Sequence, residues 1–380
     1  MKTTRPVLII VAVIVILPFL GRFFWLLQKG KKMEIMIINK TVPRNSHNEV
    51  KALNWVLNYN KILKTDNTRY RFEKDYYGYH PDAPAEEWKI RAFRMADLPS
   101  LQEKYSAVIF LDNQGVSLTR QAKEIAPKYY GGFNQNDYFL LMNMLNAGKL
   151  IVAEYNFFSD PTEALVRYNT EQMLDIHCLG WRGKRFSDLS AAKIRKEINP
   201  DWIDHYKEYY GENWDFRGPG LILLNERQNR IIVLPHDEFM DRDYPDVVTD
   251  EKYAHTLNVP DKTAFGGWFA IVYHGENEVI STFDLNLNDK GKEIMMKNGL
   301  NCNFPAVIKS VNHPFYYVAG DFSKENVHMV WSRVKIINTV LRAVESRMTD
   351  KPGLFFQTYY VPFMSAVLEE HYEEMNEAGV

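Results

Sequence analysis

Cysteine is scarce in this sequence, and no charge sign predominates. Its 380 residues include 2 cysteines, Cys178 and Cys302, which lie far apart and outside any CxxC spacing. Neither a disulfide framework nor a zinc ribbon is therefore encoded. The formal net charge is −2, with acidic and basic residues spread along the chain. Because a nucleic-acid partner would call for a basic face, neither DNA nor RNA is expected as a partner.

Several catalytic and binding signatures are also missing. The sequence has no HExxH, GxSxG or GxxxxGK[ST], and no GxGxxG after a strand, so zinc proteolysis, serine hydrolysis, P-loop chemistry and dinucleotide binding lack their usual motifs. The acidic stretch 234–246 lacks the glycine and the terminal glutamate of an EF-hand loop. We therefore predict no metal and no cofactor. The acidic stretch could still hold a hard cation through His236, Asp237, Glu238, Asp241 and Asp243.

One long apolar run is present at the amino end. Residues 6–28, PVLIIVAVIVILPFLGRFFWLLQ, are long enough to span a hydrocarbon core of about 30 Å. Lys2 and Arg5 precede the run as in a signal peptide, but no small-x-small cleavage site follows it. We predict a transmembrane anchor over residues 1–32, with the lipid bilayer as a partner through residues 6–28, and a soluble domain over 33–380.

The orientation of this anchor has two opposing indications. Four basic residues follow the apolar core against two before it, which favours a cytoplasmic domain: Arg22, Lys29, Lys31 and Lys32. The signal-like amino end favours the opposite side. We expect a single-pass protein of the cytoplasmic membrane with its soluble domain extracytoplasmic.

Apolar runs alternate with amphipathic segments in the first half of the soluble part. The runs 33–40, 105–115 and 150–156 are predicted strands, and 48–63 and 135–149 have apolar residues at helical spacing. Runs that are apolar on both faces are typical of a parallel sheet covered by helices on both sides. The fold class is therefore predicted as α/β, with a doubly wound, mostly parallel sheet.

The second half adds β-rich sequence and a closing unit. Short β-rich runs joined by tight turns over about 212–287 predict an antiparallel insertion. Residues 313–323 repeat the pattern of a strand followed by an acid, and 325–347 are predicted to form a helix.

The stretches YSAVIFLDNQG (105–115), NDYFLLMNMLNAGKLIVAEYN (136–156) and HPFYYVAGDFS with the 21 residues after it (313–344) resemble class I glutamine amidotransferase-like, flavodoxin-like domains. In those domains a helix, a glycine, an apolar strand and a site residue recur in this order. The amidotransferases carry a nucleophilic cysteine on a strand-to-helix elbow. Here the nearest counterpart is Glu154, with no cysteine near it. The resemblance implies a membrane-anchored relative without glutaminase activity.

Acids that follow predicted strands are the first candidate site. Ligands of parallel sheets gather at the carboxyl ends of the strands, where a carboxylate could bind a hydroxylated ligand, hold a cation or act as a general base. The alternative is that Glu154 forms an ion pair with a cation such as Arg167 and serves only as the structural end of its strand. The catalytic candidates are Glu154, Asp321 and Asp112, and the ligand-binding candidates beside them are Asn113, Gly131, Gly132 and Asn156.

A second candidate is HCLGWRGKRFSDL, residues 177–189, with Trp181, Arg182 and Arg185. A ring can stack on a sugar, and arginine binds carboxylate or phosphate in a bidentate way. The alternative is a glycine-rich turn with solvated arginines.

Two functions fit these features. The first is a membrane-anchored binding or scaffold domain that recognises a cell-envelope glycan or a partner protein. The alternative is a hydrolase acting on a carbohydrate-like substrate, with Glu154 as its acid/base. Hydrolysis needs two ionisable groups within reach of one substrate atom, whereas binding needs only a shaped surface.

Overall fold

The computed structural model describes residues 4–42, 47–81, 90–117, 129–335 and 352–377, with side chains from residue 16 onward in the first range and from 353 in the last. The strands are β1 (Lys31–Lys32), β2 (Ile35–Asn39), β3 (Ile62–Leu63), β4 (Tyr77–Tyr79), β5 (Ile90–Arg91), β6 (Ala107–Phe110), β7 (Val116–Ser117), β8 (Tyr129–Tyr130), β9 (Leu150–Glu154), β10 (His177–Phe186), β11 (Gly220–Asn225), β12 (Arg230–Pro235), β13 (Asp246–Thr249), β14 (Lys262–Ala264), β15 (Phe269–Tyr273), β16 (Glu278–Asp284), β17 (Asn303–Lys309) and β18 (Phe315–Val318). The α-helices are α1 (Thr4–Leu27), α2 (Asn48–Tyr59), α3 (Leu98–Lys104), α4 (Gln135–Asn146), α5 (Ala164–Leu174), α6 (Ala191–Glu197), α7 (Asp201–Tyr210), α8 (His236–Phe239), α9 (Glu251–Leu257), α10 (Asp289–Lys297) and α11 (Val361–Glu377).

The main sheet has ten strands in the order β14-β13-β16-β17-β18-β9-β6-β2-β4-β5. The neighbours from β18 through β9, β6 and β2 to β4 are parallel. All other neighbours in this sheet are antiparallel. The predicted α/β class with a large sheet is therefore confirmed. The sheet is mixed rather than mostly parallel, because the chain after residue 245 extends it with antiparallel strands.

The three central strands explain the apolar runs of the sequence. Every residue of β2, β6 and β9 is buried. Strands covered on both faces lose the alternation of apolar and polar residues, which is why these segments are continuously apolar. Helix α4 precedes β9 and begins at Asn134, whose side chain accepts hydrogen bonds from the backbone nitrogens of Asn136 and Asp137. This cap satisfies donors at the helix start.

A second sheet of four antiparallel strands has the order β12-β11-β10-β15. The predicted β-rich region is thus divided, since β11, β12 and β15 join this sheet while β13, β14 and β16 join the main one. His177–Phe186 form the strand β10, so the alternative of a glycine-rich turn is wrong for this part of residues 177–189. Gly183 lies in the middle of β10, where an added Cβ would meet Leu223 Cδ2 and Phe269 Cζ, both at 2.4 Å. Only glycine lets the neighbouring side chains approach this closely.

The segment after β18 differs from its prediction as one helix. Over residues 325–335 the structure has a single 3-10 turn, Trp331–Arg333, and residues 336–347 lie outside the described part. Residues of 325–335 make separate contacts with distant parts of the chain: Val327 is buried in the main core, and the backbone nitrogen of Lys335 donates to the Gly21 oxygen of α1 at 3.3 Å. Tertiary contacts here override the helical spacing.

Helix α1 has 24 residues. Within the described part of the chain, no helix is long and apolar enough to cross a membrane. The side chains of residues 6–15, which belong to the predicted anchor, lie outside that part.

Candidate functional site

The carboxyl ends of the parallel strands form one rim of the main sheet. Asp112 follows β6, Glu154 ends β9 and Asp321 follows β18. Burial raises the pKa of Asp321, and Asp112 raises it further. Burial likewise raises the pKa of Glu154, with a further contribution from Asp321. The three predicted acids therefore lie within electrostatic range along a common edge.

Asp112 ties three strand ends together. Its Oδ1 accepts hydrogen bonds from the Thr41 hydroxyl at 2.7 Å and from the Gln114 nitrogen at 2.8 Å. Its Oδ2 accepts one from the Asn156 amide at 2.9 Å. Thr41 follows β2 and Asn156 follows β9, so this carboxylate crosslinks the loops of three neighbouring strands. Its lone pairs are largely occupied, which suits a structural role.

Glu154 lies beneath the rim rather than on it. The side chain is 1% exposed. The Tyr360 hydroxyl donates to its Oε1 at 2.7 Å, and the Ser323 hydroxyl donates to its Oε2 at 2.6 Å. Burial raises the pKa of Glu154 to about 8, against the effect of these two hydrogen bonds. The expected alternative partner, Arg167, instead pairs with Asp160 at 3.0 Å.

Glu49 is an acid of the rim that the sequence analysis missed. It lies in the first turn of α2, is 2% exposed, and its Oε2 has no hydrogen-bond partner among the described residues. Burial raises its pKa to about 8, and Asp112 and Asp321 add to the rise while Lys324 opposes it. The sequence gives no signal for this residue, because acids are common in the first turn of a helix whether or not they are buried.

Asp321 is the predicted acid that reaches open space. Its side chain is 7% exposed and pairs with Lys324 at 3.2 Å. Burial raises the pKa of Asp321 to about 6, although Lys324 opposes this effect. Burial lowers the pKa of Lys324, but Asp321, Glu49 and Asp112 together raise it above its ordinary value. Lys324 is thus the cation that the rim carboxylates share.

Two more polar side chains at the rim are buried without partners. Neither amide atom of Asn113 has a hydrogen-bond partner within the described residues, and the same holds for the Tyr155 hydroxyl. Burial raises the pKa of Tyr155, and Arg182 is close enough to oppose this rise. Buried polar atoms are rarely left unpaired, so these atoms indicate space for water or a ligand group.

A cavity of about 410 Å³ lies beside the rim, lined by Lys184 of β10, by the loop before β15 and by the segment after β18. Its polar walls are Asp321, Lys324, Glu325 and Lys184, and Trp268 lies among them. Its other wall residues are Phe265, Gly266, Gly267, Phe322, Gly353, Phe355 and Phe356. Volumes of this size suit small-molecule ligands.

Trp268 is the half-buried aromatic residue of this cavity. It packs against the core under each sheet. Arg182 Cζ lies 5.3 Å and Lys184 Nζ lies 5.9 Å from its ring centroid. The Asp321 nitrogen donates to the Trp268 oxygen at 2.8 Å. Trp268 and Lys184 are residues that the sequence analysis missed, since they come together only through the pairing of β10 with β15.

The predicted residues of 177–189 are dispersed by β10. Trp181 is buried, with Arg230 Cζ 5.6 Å from its ring centroid. Arg182 pairs with Glu226 and reaches Trp268. Arg185 lies 4.3 Å from the ring centroid of Tyr244. Successive residues of a strand point to opposite faces, so Arg182 lies on the other face from Trp181 and Arg185, and the three side chains do not form one binding surface.

The predicted glycines position backbone groups. The Gly132 nitrogen donates to the Asn113 oxygen at 2.6 Å, and the Gly132 oxygen accepts from Lys40 Nζ at 2.7 Å. Lys40 also pairs with Asp137 in the first turn of α4. Gly131 lies against the Gln114 backbone, where an added Cβ would meet the Gln114 oxygen at 2.3 Å. These contacts hold the loop after β6 against the start of α4.

The acidic stretch 234–246 does not gather its acids around one point. His236 lies 3.0 Å from Asp237 and 3.2 Å from Asp243. Among the residues with described positions, no group of three or more His, Cys, Asp or Glu side chains is arranged to hold a metal ion.

Comparisons with known proteins give distant structural likenesses. No protein-family model and no curated protein matches the sequence. A protein described as ThuA-like from Bacteroides uniformis has 11% identity and a TM-score of 0.38, covering 87% of this chain and 97% of that chain. A second, from Parabacteroides merdae, has 10% identity and a TM-score of 0.34, with 77% and 79% covered. PurLQS from Thermotoga maritima has 8% identity and a TM-score of 0.30, with 83% and 100% covered. At such scores these likenesses assign neither family nor function.

Proposed function

We propose that this protein is a membrane-anchored binding domain that takes a carbohydrate ligand in the cavity beside Trp268. The observation that carries the proposal is the composition of this cavity, in which an indole ring and a wall of phenylalanines face Asp321, Lys324 and Lys184. A sugar has apolar C–H faces that pack on aromatic rings and hydroxyls that bond to charged side chains.

The unpartnered polar atoms nearby support the same ligand class. Asp321 and Lys324 line the cavity, and both interact electrostatically with Asp112, the residue before Asn113. A hydroxylated ligand, directly or through water, supplies both donors and acceptors to such atoms. Binding by this site needs no cofactor.

Binding is favoured over hydrolysis by the position of Glu154. The cavity wall does not include this residue, and hydroxyls of Ser323 and Tyr360 occupy both of its oxygens. A general acid/base must come within hydrogen-bond reach of the reacting atom. Hydrolysis with Glu154 as acid/base therefore has no support in this geometry.

Anchoring through residues 6–28 is supported by the apolar surface at the end of α1. Phe19, Phe23 and Leu27 are 72%, 54% and 67% exposed. Lipid would cover these side chains, since a bilayer accepts large apolar residues that water does not. We place the domain on the extracytoplasmic side, near envelope glycans. A reporter fused to the carboxyl end tests this orientation, and activity of a reporter that works only in the cytoplasm would reverse it.

The binding proposal is tested with the full chain in detergent, by calorimetric titration against neutral, acidic and amino-sugar oligosaccharides. We expect Trp268→Ala to weaken binding by about tenfold or more, as loss of a stacking ring does. Tyr168→Ala is the matched control, because Tyr168 is an aromatic residue that is 59% exposed on α5. Binding that is unchanged in Trp268→Ala, or absent for every sugar class, would overturn the proposal.

A further inference from the structure

The last turn of α1 is packed into the domain. Trp25 is 2% exposed, and its Nε1 donates to the Asn58 oxygen at 2.7 Å. Lys61 Nζ donates to the carbonyls of Leu26 at 3.0 Å and Gln28 at 2.5 Å. A lysine at this position satisfies carbonyls that the helix end leaves free. The helix is thus fixed to the domain. The same face of the domain therefore always surrounds the point at which α1 leaves the domain.

Cations collect around Trp25 on this face. Arg69 Cζ lies 4.9 Å and Arg333 Cζ lies 5.9 Å from its ring centroid. Burial lowers the pKa of Arg333, and the positive charges of Arg69 and Arg22 lower it further. Like charges held this close repel one another, so the arrangement favours an anion between them.

Lys335 is a further cation on this face. Its backbone nitrogen donates to the Gly21 oxygen of α1 at 3.3 Å, and its Nζ lies 3.9 Å from the ring centroid of Tyr59. Burial lowers its pKa to about 8, and Lys31 contributes to the lowering. We name Arg22, Arg69, Arg333 and Lys335 the basic collar.

The collar has no internal counter-charge in the described ranges. None of the described acids forms an ion pair with Arg22, Arg69 or Arg333, and Nε of Arg333 is buried without a hydrogen-bond partner. A guanidinium group offers five donors that match phosphate geometry. A phosphate group would supply the missing acceptor.

Exposed apolar side chains lie beside the collar. Phe23 and Phe24 are 54% and 56% exposed on α1. Val330 and Trp331 are 72% and 41% exposed, and they precede Arg333 in the chain by three and two residues. Large apolar residues beside cations are typical of the interface between lipid tails and headgroups.

We propose that this face is a second membrane contact, in which the basic collar binds the phosphate of an anionic phospholipid while Val330 and Trp331 enter the interface. The inference rests on the anchoring proposed above. Charge complementarity and continuity with α1 identify the occupant, because the anchor would bring lipid headgroups to the level where α1 leaves the domain.

The collar is tested by titrating the full chain in micelles with short-chain phosphatidylglycerol and following tryptophan fluorescence. Phosphatidylcholine and inorganic phosphate are the comparison arms. We expect preferential binding of phosphatidylglycerol, which Arg69→Gln with Arg333→Gln weakens by about thirtyfold, the effect of two interfacial charges. The matched control, Lys193→Gln with Lys290→Gln, removes two exposed lysines from α6 and α10 and should bind as the parent does. Equal binding of phosphatidylcholine, or full occupancy by inorganic phosphate, would overturn a lipid site.

The apolar part is tested with brominated lipids, which quench tryptophans that touch the bilayer. Trp331→Phe should reduce the quenched fraction, whereas Trp214→Phe should not, because Trp214 is half-buried against the smaller core cluster beneath the four-stranded sheet. Unchanged quenching in Trp331→Phe would refute insertion. Alkaline extraction of the membranes separates this inference from the anchor: release of the parent protein would contradict anchoring, whereas retention without a phosphatidylglycerol preference would contradict the collar alone.

Discussion

At the scale of single residues, the buried carboxyl of Glu154 makes stability depend on pH. Its pKa rises from an ordinary 4.5 to about 8 on folding, chiefly through burial. The folded state therefore holds a proton that the unfolded state has released. Stability from this group is complete below pH 4.5 and is lost as the pH rises toward about 8.

We predict that the free energy of unfolding of the parent falls relative to Glu154→Gln across this window, by about 1.4 kcal/mol per pH unit at most. Chemical denaturation in detergent at several pH values measures the difference. Glu49→Gln serves for comparison, because burial gives Glu49 a similar pKa of about 8. A difference that does not change with pH would show that Glu154 keeps an ordinary pKa.

Asp112 makes a second prediction at this scale. Asp112→Ala leaves the Thr41 hydroxyl, the Gln114 nitrogen and the Asn156 amide without their acceptor. Unpaired buried donors destabilise, so we expect a loss of about 3 kcal/mol in the free energy of unfolding. Asp289→Ala is the control, since the Asp289 side chain is fully exposed on α10. A loss no larger than that of the control would mean that the crosslink contributes little.

At the scale of elements, Gly183 sets the packing of the four-stranded sheet. Gly183→Ala places a methyl group against Leu223 and Phe269, and overpacking of this kind destabilises by about 1 to 3 kcal/mol. Leu223→Ala creates space at the same point. The double variant should therefore be less destabilised than the sum of the two single variants, and denaturation curves for all four proteins give the coupling. If the two changes in the free energy of unfolding simply add, the methyl group introduced at position 183 does not clash with Leu223.

The strands and helices also show how much of the fold the sequence predicts. The sequence predicts the strands around 35–39, 107–110 and 150–154 because burial on both faces leaves a continuous apolar run, and it predicts α4 because the segment is amphipathic. The helical spacing after residue 325 predicted one helix wrongly, because Val327 and Lys335 contact residues that are distant in the chain. Tight turns over about 212–287 predicted antiparallel strands, but no local pattern predicted which of the two sheets each strand joins.

The candidate site was predictable only in part, for a related reason. Acids at strand ends can be found from the order of elements alone, which brought Asp112, Glu154 and Asp321 to one rim. Which of them would face open space depends on packing, and Tyr360 covers Glu154 from 206 residues away. Trp268 and Lys184 meet through the pairing of strands that are distant in the chain, so no sequence pattern near either residue predicted the cavity.

At the scale of the whole molecule, Trp25 joins the helix to the domain. Trp25→Ala removes the hydrogen bond to Asn58 and the ring beneath Arg69 and Arg333. We predict that trypsin cleaves the chain at Lys29, Lys31 or Lys32 about tenfold faster in this variant, because local opening becomes easier. Phe24→Ala is the control, since Phe24 is the exposed neighbour. Equal cleavage rates in both variants would mean that the junction is held by other contacts.

The cap that Lys61 places on the end of α1 limits how the protein can search for a ligand. A domain joined to its anchor by a flexible linker could reorient freely and reach a wide volume. Here the end of α1 is bound to the domain, so the domain reorients only together with the helix. For an anchored chain, the opening beside Trp268 would then stay at one height and one tilt above the lipid. Ligands would have to diffuse to that level, and molecules embedded in the same membrane would meet it most often.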